Sequence, residues 1–280
     1  MVDFIIQEEN LSIHRACKLI CFTRSTYYYI GTRNDEPVET ALIELSNKYP
    51  TRGFDTYFGK LRMLGYAWNR KRVLRVYRKL KLGLRRKHKR RFPSRTKEKL
   101  EAPALLNDTW SVDFMSDSLE NGRRFRVLNV IDDFNREALI NEAYYSIPGE
   151  QLVRSLNELL HHRGKPKKIR SDNGPEFLSH VYIDFCAKND IEICYIQPGK
   201  PAQNAYIERL NRTFREDVLD AYLFQTLTEV NTLAYDWQMD YNANHPHKSL
   251  NGKSPWLYAN NRINMSSPDG QVGLVKSMKN

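Results

Sequence analysis

The second half of the chain alternates between short apolar runs and helical spacing. DTWSVDFM, RRFRVLNVID and EALINEAYY are apolar runs separated by turn residues, and they predict three strands, the first two joined by a hairpin at Asn121-Gly122. Helical periodicity is found at about 149–162, over LSHVYIDFCAKN, from Asn204 to about Leu219 and at about 227–242, and KKIRS and IEICYIQ are further strands. The order βββαβαβα predicts an α/β fold with a mixed five-stranded sheet covered by helices.

The first hundred residues show mainly helical spacing. Residues 11–29 predict two short helices around a turn, a pattern that fits both a helix-turn-helix fragment and a packing hairpin that touches no DNA. Further helices are predicted at about 37–48, 55–64 and 70–81. The last of these has one apolar stripe and a basic exterior that includes Arg72 and Arg75, which suits a DNA groove or a phosphate wall.

Charge is distributed unevenly along the 280 residues, whose formal net charge is +11. Residues 60–99 contain 18 Lys and Arg and a single acid, whereas residues 100–280 contain 20 basic and 24 acidic residues. A block of like charge repels itself unless a polyanion neutralises it, and DNA does so with release of counterions. The charge therefore predicts DNA as a partner, with a solvated basic linker as the alternative for part of this run.

These patterns divide the chain into five segments. We expect a helix-turn-helix-like fragment over 1–35, a basic helical DNA-binding region over 36–84, a basic linker over 85–102, the α/β core over 103–262 and a tail over 263–280. No apolar stretch approaches the roughly 20 residues that span a bilayer, and no secretory signal is found. The four cysteines lack CxxC spacing, so we expect a cytoplasmic protein with free thiols and no membrane partner.

Three carboxylates stand at positions that favour a metal site. Asp113 lies inside the first strand among apolar neighbours, where an acid is costly unless an ion offsets its charge. Asp172 ends a strand of the predicted sheet, and Glu208 lies near the start of the helix that follows PGKPAQ. Hard divalent cations prefer oxygen ligands, and a pair of them can drive phosphoryl transfer. Taken singly, the acids also have ordinary interpretations as a buried structural acid, a turn residue and a solvated helix acid.

The flanks of these acids resemble a known family. WSVDFMSD, VLNVIDDFNRE, RSDNGPEF, PGKPAQNAYIERLNRTFREDVLD and NHPHKSLNGKSPWLY occur in this order, and 35 residues separate Asp172 from Glu208. Over about residues 10–260 the chain resembles the OrfB transposases of the insertion-sequence-three family, within the DDE integrase and transposase superfamily. The resemblance implies an RNase H-like integrase catalytic core in which Asp113, Asp172 and Glu208 are catalytic and bind Mg²⁺. Two ions are expected, with Mn²⁺ as a substitute.

The resemblance also implies that Arg215 matches the basic position of the family's last motif, where it would hold a DNA phosphate. A surface charge is the alternative for this residue. The loop beside Glu208 and the turn after Asp172 add further expected contacts with the DNA end. These expected DNA-binding residues are Asn173, Lys200, Gln203, Asn204 and Arg212, in addition to Arg72 and Arg75.

The implied function is a DDE transposase subunit that performs 3′-end cleavage and strand transfer in the transposition and integration of an insertion sequence. Water cleaves at the element's end, and the freed 3′-hydroxyl then attacks another phosphodiester. The resemblance implies a homo-oligomer on paired DNA ends and a target DNA, together with a separate OrfA product or a frameshift fusion with it. Two rivals are a nuclease or resolvase on the same fold and a DNA-binding regulator without catalysis. The presence of all three acids argues against the regulator.

Overall fold

The computed structural model describes residues 1–29, 34–84, 103–197 and 201–266. The basic linker expected at 85–102, most of the tail expected at 263–280 and Lys200 fall outside these ranges. The chain divides into two compact units, Met1–Ala41 and Leu42–Asn280.

Short helices form the first unit. They are α1 (Val2–Glu8), α2 (Ile13–Leu19), α3 (Arg24–Tyr27) and the first part of α4 (Glu36–Lys48). The two short helices predicted over 11–29 are confirmed as α2 and α3, whereas α1 was missed. Val2, Ala16 and Cys17 are buried together, and Tyr27 Oη donates a hydrogen bond of 2.6 Å to Asp3 Oδ1. The apolar face of α2 therefore packs against α1.

A helical pair opens the second unit. The predicted helices are confirmed as α5 (Phe54–Met63) and α6 (Arg70–Lys79), and the rings of Phe54 and Tyr77 pack edge to face with centroids 5.4 Å apart. Asn69 caps α6, since its Oδ1 accepts the backbone N–H of Lys71 at 2.8 Å. The apolar stripe of α6 is buried, and its basic residues lie on the outer side.

Five strands form one mixed sheet, which confirms the predicted number and class. The strands are β1 (Thr109–Ser118), β2 (Arg124–Asp132), β3 (Ala138–Tyr144), β4 (Lys168–Ser171) and β5 (Glu192–Tyr195). Their order is β3-β2-β1-β4-β5, with β1 antiparallel to β2 and parallel to β4. The hairpin turn between β1 and β2 contains Gly122 at φ +80°, a conformation that glycine adopts without strain. The sheet thus places β1 at its centre.

Alternation along the strands separates two cores. Trp110 and Val112 of β1 face α7 (Gly149–Arg163) and α8 (His180–Lys188). Met115 on the opposite face packs with residues of α9 (Ala205–Phe214) and α10 (Leu227–Asn244). Asp113 lies an even number of residues from Met115 and therefore faces α9.

Ionic and hydrogen-bonding contacts anchor the helical pair to the core. Asp240 of α10 receives Tyr49 Oη at 2.8 Å and lies 3.7 Å from Lys60 Nζ of α5. Arg52 forms an ion pair with Asp217, and its side chain is only 11% exposed. Because charges this poorly hydrated are costly to separate, these pairs fix α5 against the core.

The helix predicted from Asn204 to Leu219 is divided into three parts. A 3-10 turn at Pro201–Asn204 precedes α9, and a π-helical turn at Arg215–Leu219 follows it. A further helix, α11 (Pro255–Ser266), was not predicted. Within the described ranges, none of the helices has the length and apolar character needed to cross a bilayer.

Candidate active site

Asp113 occupies the centre of the sheet and is held by two hydrogen bonds. Its Oδ1 accepts the backbone N–H of Phe114 at 2.8 Å, and its Oδ2 accepts Nδ2 of Asn211 at 2.8 Å. The side chain is half-buried. A carboxylate fixed in this way has both oxygens oriented before any ligand arrives.

Asp172 comes to the same level of the sheet. Ser111 of β1 pairs with Arg170 of β4 at the end of the parallel ladder, and Asp113 and Asp172 each follow two residues later, so both lie just beyond this end of the ladder. Asp172 is exposed, and its Oδ1 accepts the backbone N–H of Gly174 at 3.0 Å in a tight turn. A Cβ on Gly174 would lie 3.1 Å from this same oxygen, which explains glycine at that position.

Glu208 comes from the helix that packs on this face. It lies in the first turn of α9 and is exposed, while Ile207 and Leu210 on either side of it are buried. Helix α9 contacts both β1 and β2. A strand, the end of a neighbouring strand and a helix therefore each contribute one acid, as the sequence predicted.

The charges of Asp172 and Glu208 act on Asp113. The pKa of Asp113 is raised to about 6, mainly by burial and also by the negative charges of Asp172 and Glu208, against the two hydrogen bonds that lower it. For their charges to act on the Asp113 carboxylate in this way, Asp172 and Glu208 must both lie near it. The charged form of Asp113 is thus disfavoured until a cation arrives.

The three carboxylates are suitable ligands for a divalent ion, but they lie farther apart than the ligands of a bound ion would. All three donors are carboxylates, which suit hard cations. Among the residues that the structure describes, no three His, Cys, Asp or Glu side chains are close enough to share one ion. The acids converge within the range of electrostatic interaction, and a bound ion would have to draw them closer.

A row of buried amides supports Asp113 from behind. Asn211 Oδ1 accepts Nδ2 of Asn129 at 2.8 Å, and Asn129 Oδ1 accepts Nδ2 of Asn141 at 2.6 Å. The row runs from β3 through β2 to α9 and ends at the Asp113 carboxylate. Because Asn211 follows Glu208 by three residues, the same helical face carries both. Asn211 was not among the site residues predicted from the sequence. The signal in the sequence that could have indicated it was its helical spacing from Glu208.

A second contact missed in the sequence holds the turn after Asp172. Arg126 of β2 forms an ion pair with Glu176 and stacks over Phe114, with 4.4 Å between Cζ and the ring centroid. Glu176 Oε2 also lies 3.1 Å from the place where a Cβ on Gly174 would stand. This ion pair ties the Asp172 turn to β1 and β2.

Arg215 faces β1, one helical turn after Asn211. Its guanidinium donates to the Ser116 carbonyl at 2.9 Å and to Asp117 Oδ2 at 3.1 Å, and it lies 3.7 Å from Asp220. The contact with DNA expected of Arg215 stays a prediction, and any phosphate would have to share it with Asp117.

The other expected DNA contacts differ in exposure. Asn173 and Arg212 are exposed, whereas Asn204 is buried. Gln203 Oε1 accepts the backbone N–H of Gln197 at 3.0 Å, so it closes the loop beside the site. Arg72 is half-buried and Arg75 exposed on α6, and both have interactions within the protein.

Comparison with known proteins finds similarity to integrase core domains and to proteins of insertion elements. Residues 105–201 and 189–255 match two family models, each described as an integrase core domain. A 31.7 kDa protein of insertion element IS407 from Burkholderia multivorans is 36% identical over 91% of this chain and 93% of the relative. A 39.2 kDa protein of insertion element IS476 from Xanthomonas euvesicatoria is 34% identical over 92% of this chain and 75% of the relative.

The fold has a counterpart among solved structures. A chain of the simian T-cell lymphotropic virus intasome, solved in complex with PP2A regulatory subunit B56 gamma, matches with a TM-score of 0.51 and 17% identity. The match covers 84% of this chain and 80% of the other. Together with the mixed five-stranded sheet, this likeness confirms the expected RNase H-like fold.

Proposed function

Because the chain belongs to the OrfB-type transposases of the insertion-sequence-three family, we propose that Asp113, Asp172 and Glu208 are its catalytic acids. Family membership makes the chain an enzyme, a DDE transposase that acts in transposition and DNA integration. One observation carries the assignment of the acids: the negative charges of Asp172 and Glu208 both raise the pKa of Asp113, although the three come from different elements.

The proposed cofactor is Mg²⁺, with two ions at the site and Mn²⁺ as a substitute. Three carboxylates without nitrogen or sulfur donors favour such hard cations. When bound, the ions would activate the attacking oxygen and stabilise the charge on the leaving oxygen. The raised pKa of Asp113 supports this assignment, since a cation removes the repulsion that disfavours its charged form.

Each acid has its own part in this proposal. Asp113 is the fixed ligand, because a backbone N–H and Asn211 both hold its carboxylate. Asp172 and Glu208 are exposed and complete the site from the side on which DNA arrives. Asn173 and Arg215 flank these acids and are proposed to contact the DNA phosphates, as are Gln203 and Asn204 in the loop before α9.

The proposed reaction has two steps at phosphorus. Water attacks the phosphodiester at the element's end, and the P–O bond to the leaving 3′-oxygen breaks and leaves a 3′-hydroxyl. That hydroxyl then attacks a second phosphodiester in line, and a new P–O bond forms as another breaks. The protein forms no covalent bond to DNA in this scheme, so its residues act by position and charge.

Two DNA ends and a target imply more than one active site. We propose a homo-oligomer on paired ends and participation of the OrfA product or of a fusion with it. The helix-turn-helix-like fragment over 1–35 and the helical region over 36–84, with Arg72 and Arg75, are proposed to bind DNA away from the reacting phosphate.

A strand-transfer assay tests the proposal. Labelled DNA from the end of the element is incubated with target DNA, Mg²⁺ and the protein, and joined products are separated from cleaved ones. The wild type should give both products, and Asp172→Asn should give neither while still binding DNA. The matched control is Asp184→Asn, an exposed acid of α8, which should retain both products.

Two outcomes would contradict the assignment. Unchanged cleavage by Asp172→Asn would remove this residue from the site. Cleavage by the wild type without joined product at any protein concentration would favour the nuclease.

A further inference from the structure

A groove of about 1250 Å³ runs along α9, the helix that carries Glu208. The helical pair α5 and α6 forms one wall, α9 the second and the turn 245–252 the third. All of these belong to the second compact unit. The groove is therefore a feature of the same folded body that carries the three acids.

The charged residues that line this groove are mostly basic. Its cationic side chains outnumber its two acids, and both acids are already paired: Asp55 with Arg70 at 2.6 Å and Glu216 with Arg52 at 3.7 Å. The remaining cations are Arg209, Arg212 and Lys248, all exposed.

His245 and His247 lie near these arginines. The pKa of His247 is lowered to about 3, mainly by burial and also by the charges of Arg209 and Arg136. Burial also lowers the pKa of His245, and its neighbours His247, Arg52, Lys60 and Arg209 lower it too. Both rings are thus neutral at pH 7, so the positive charge on the exposed lining of the groove comes from Arg209, Arg212 and Lys248.

The groove begins within one helical turn of the site. Arg212 follows Glu208 by four residues, so the two lie on the same exposed face of α9 and about 6 Å apart along its axis. A DNA backbone that enters the groove at Arg212 would therefore pass close to Glu208.

The walls are held at a fixed spacing. Arg52 links the start of α5 to Asp217 beyond α9, and Gly59 packs so closely on the 245–252 turn that a Cβ would lie 2.7 Å from Pro246 Cγ. A groove with fixed walls loses little conformational freedom when a ligand enters. The cations therefore stand ready on the α9 and turn sides.

We propose that this groove binds the sugar-phosphate backbone of duplex DNA next to the reacting phosphate, with Arg212 and Lys248 as phosphate contacts on two of its walls. The inference rests on the proposed function for the identity of the polyanion. It goes further in placing the DNA between the helical pair and α9 and in adding Lys248 and Arg209 to the contact surface.

The salt dependence of DNA binding tests the groove. The full chain is titrated against a fluorescent duplex of mixed sequence, about 30 base pairs long, without divalent metal and at several salt concentrations between about 50 and 200 mM. Each phosphate contact contributes about 0.9 to the slope of log affinity against log salt. R212Q/K248Q should reduce the slope by about 1.8 and weaken binding about sixtyfold near 0.1 M salt.

Two further variants complete the design. R154Q/K188Q removes the same charge from exposed residues of α7 and α8, on the other face of the sheet, and should leave the slope near that of the wild type. R212K/K248R keeps the charge and should retain the wild-type slope, and circular dichroism of R212Q/K248Q should match the wild type, which separates loss of charge from loss of fold. An unchanged slope for R212Q/K248Q, or equal losses for R212Q/K248Q and R154Q/K188Q, would overturn the proposal.

The result is separable from the proposed function. If the slope falls as expected while the wild type produces no cleavage with Mg²⁺, the groove stands and the catalytic assignment fails. If Asp172→Asn abolishes cleavage while R212Q/K248Q binds DNA as the wild type does, the groove fails and the catalytic assignment stands.

Discussion

At the scale of single residues, the sequence indicates the acids better than their supports. Asp113, Asp172 and Glu208 stood out because each lies at a strand or helix position where a carboxylate has a chemical reason to be. Asn211 gave no comparable signal, since an amide on a helix is usually a surface residue. Its role depends on a partner 98 positions earlier and another 82 positions earlier. Such pairings become visible only after the sheet has formed.

Asn211→Leu should impair the site without a comparable effect on DNA binding. The change removes the donor to Asp113 and the acceptor for Asn129, so the carboxylate is no longer fixed. Loss of a residue that orients a metal ligand typically costs about 10–100-fold in metal affinity or activity. We expect the Mg²⁺ concentration for half-maximal cleavage to rise by this order, as measured by metal titration.

Asn231→Leu is the matched control, since Asn231 of α10 bonds the backbone of Ala143 through both amide atoms. It should lower the free energy of unfolding and leave the metal requirement unchanged. Equal metal requirements for the Asn211 variant and the wild type would leave Asn211 a purely structural residue.

His247 makes the fold sensitive to acid. Its side chain is 3% exposed, and burial lowers its pKa to about 3. The unfolded chain binds a proton near pH 6.5 and the folded chain only near pH 3, so stability falls as the pH drops between these values, by about 1.4 kcal/mol per pH unit. His247→Gln should reduce this slope, as measured by urea unfolding at several pH values. His162→Gln, at an exposed site of α7, should keep the wild-type slope; identical slopes for all three proteins would refute the role of His247.

At the scale of elements, regular hydrophobic periodicity predicted the helices and strands well, but it did not reveal where a helix is interrupted. The strands and α7 were predicted closely because apolar alternation and helical spacing report burial directly. The helix from Asn204 to Leu219 was predicted as one piece, although it changes to a π-helical turn at Arg215. The residues of that turn keep an amphipathic pattern. Asp217 in this turn accepts hydrogen bonds from Thr51 and Trp237, which lie far from it in the sequence. Tertiary contacts of this kind leave no local signal.

Two missed helices had local signals that were overlooked. Helix α11 begins at Pro255, directly after Ser254, whose Oγ accepts the backbone N–H of Leu257 at 3.4 Å. A serine followed by proline at the first helical position is a typical start of a helix, and the sequence SPW at 254–256 has this pattern. Val2, Ile5 and Ile6 likewise have helical spacing in α1. These omissions did not affect the site, since the acids lie on other elements.

Gly59→Ala tests the fit of α5 against the 245–252 turn. Alanine normally favours a helix over glycine by up to about 1 kcal/mol. Here the added Cβ would lie 2.7 Å from Pro246 Cγ, and overpacking of this kind costs about 1–3 kcal/mol. We therefore expect a lower free energy of unfolding for Gly59→Ala by chemical denaturation. Gly83→Ala is the control, because no atom of the residues that the structure describes lies within 4 Å of its added Cβ; a more stable Gly59→Ala protein would show that the contact at Gly59 is not tight.

At the scale of the whole molecule, the charge of the chain predicts DNA as a partner but does not indicate where the folded elements begin and end. Part of the run of Lys and Arg over 60–99 belongs to a regular element. Residues 70–79 form α6, which buries Val73 and Val76, so this part of the basic run belongs to a folded helix. The rest of the run from residue 85 lies outside the described ranges. The groove combines residues from α5, α6, α9 and the 245–252 turn, so no contiguous motif reveals it.

The central position of β1 has a consequence for the chain as it is being made. Asp113 leaves the ribosome long before Asp172, and Glu208 follows only when α9 is synthesised. Asp217 and Asp240, which anchor the helical pair, come later still. A nascent or prematurely terminated chain that lacks α9 therefore has all five strands and the basic segment but no third acid and no support from Asn211. Under the proposed assignment of the acids, we expect such a fragment not to cut the gene that encodes it, so that cutting waits until α9 has been translated.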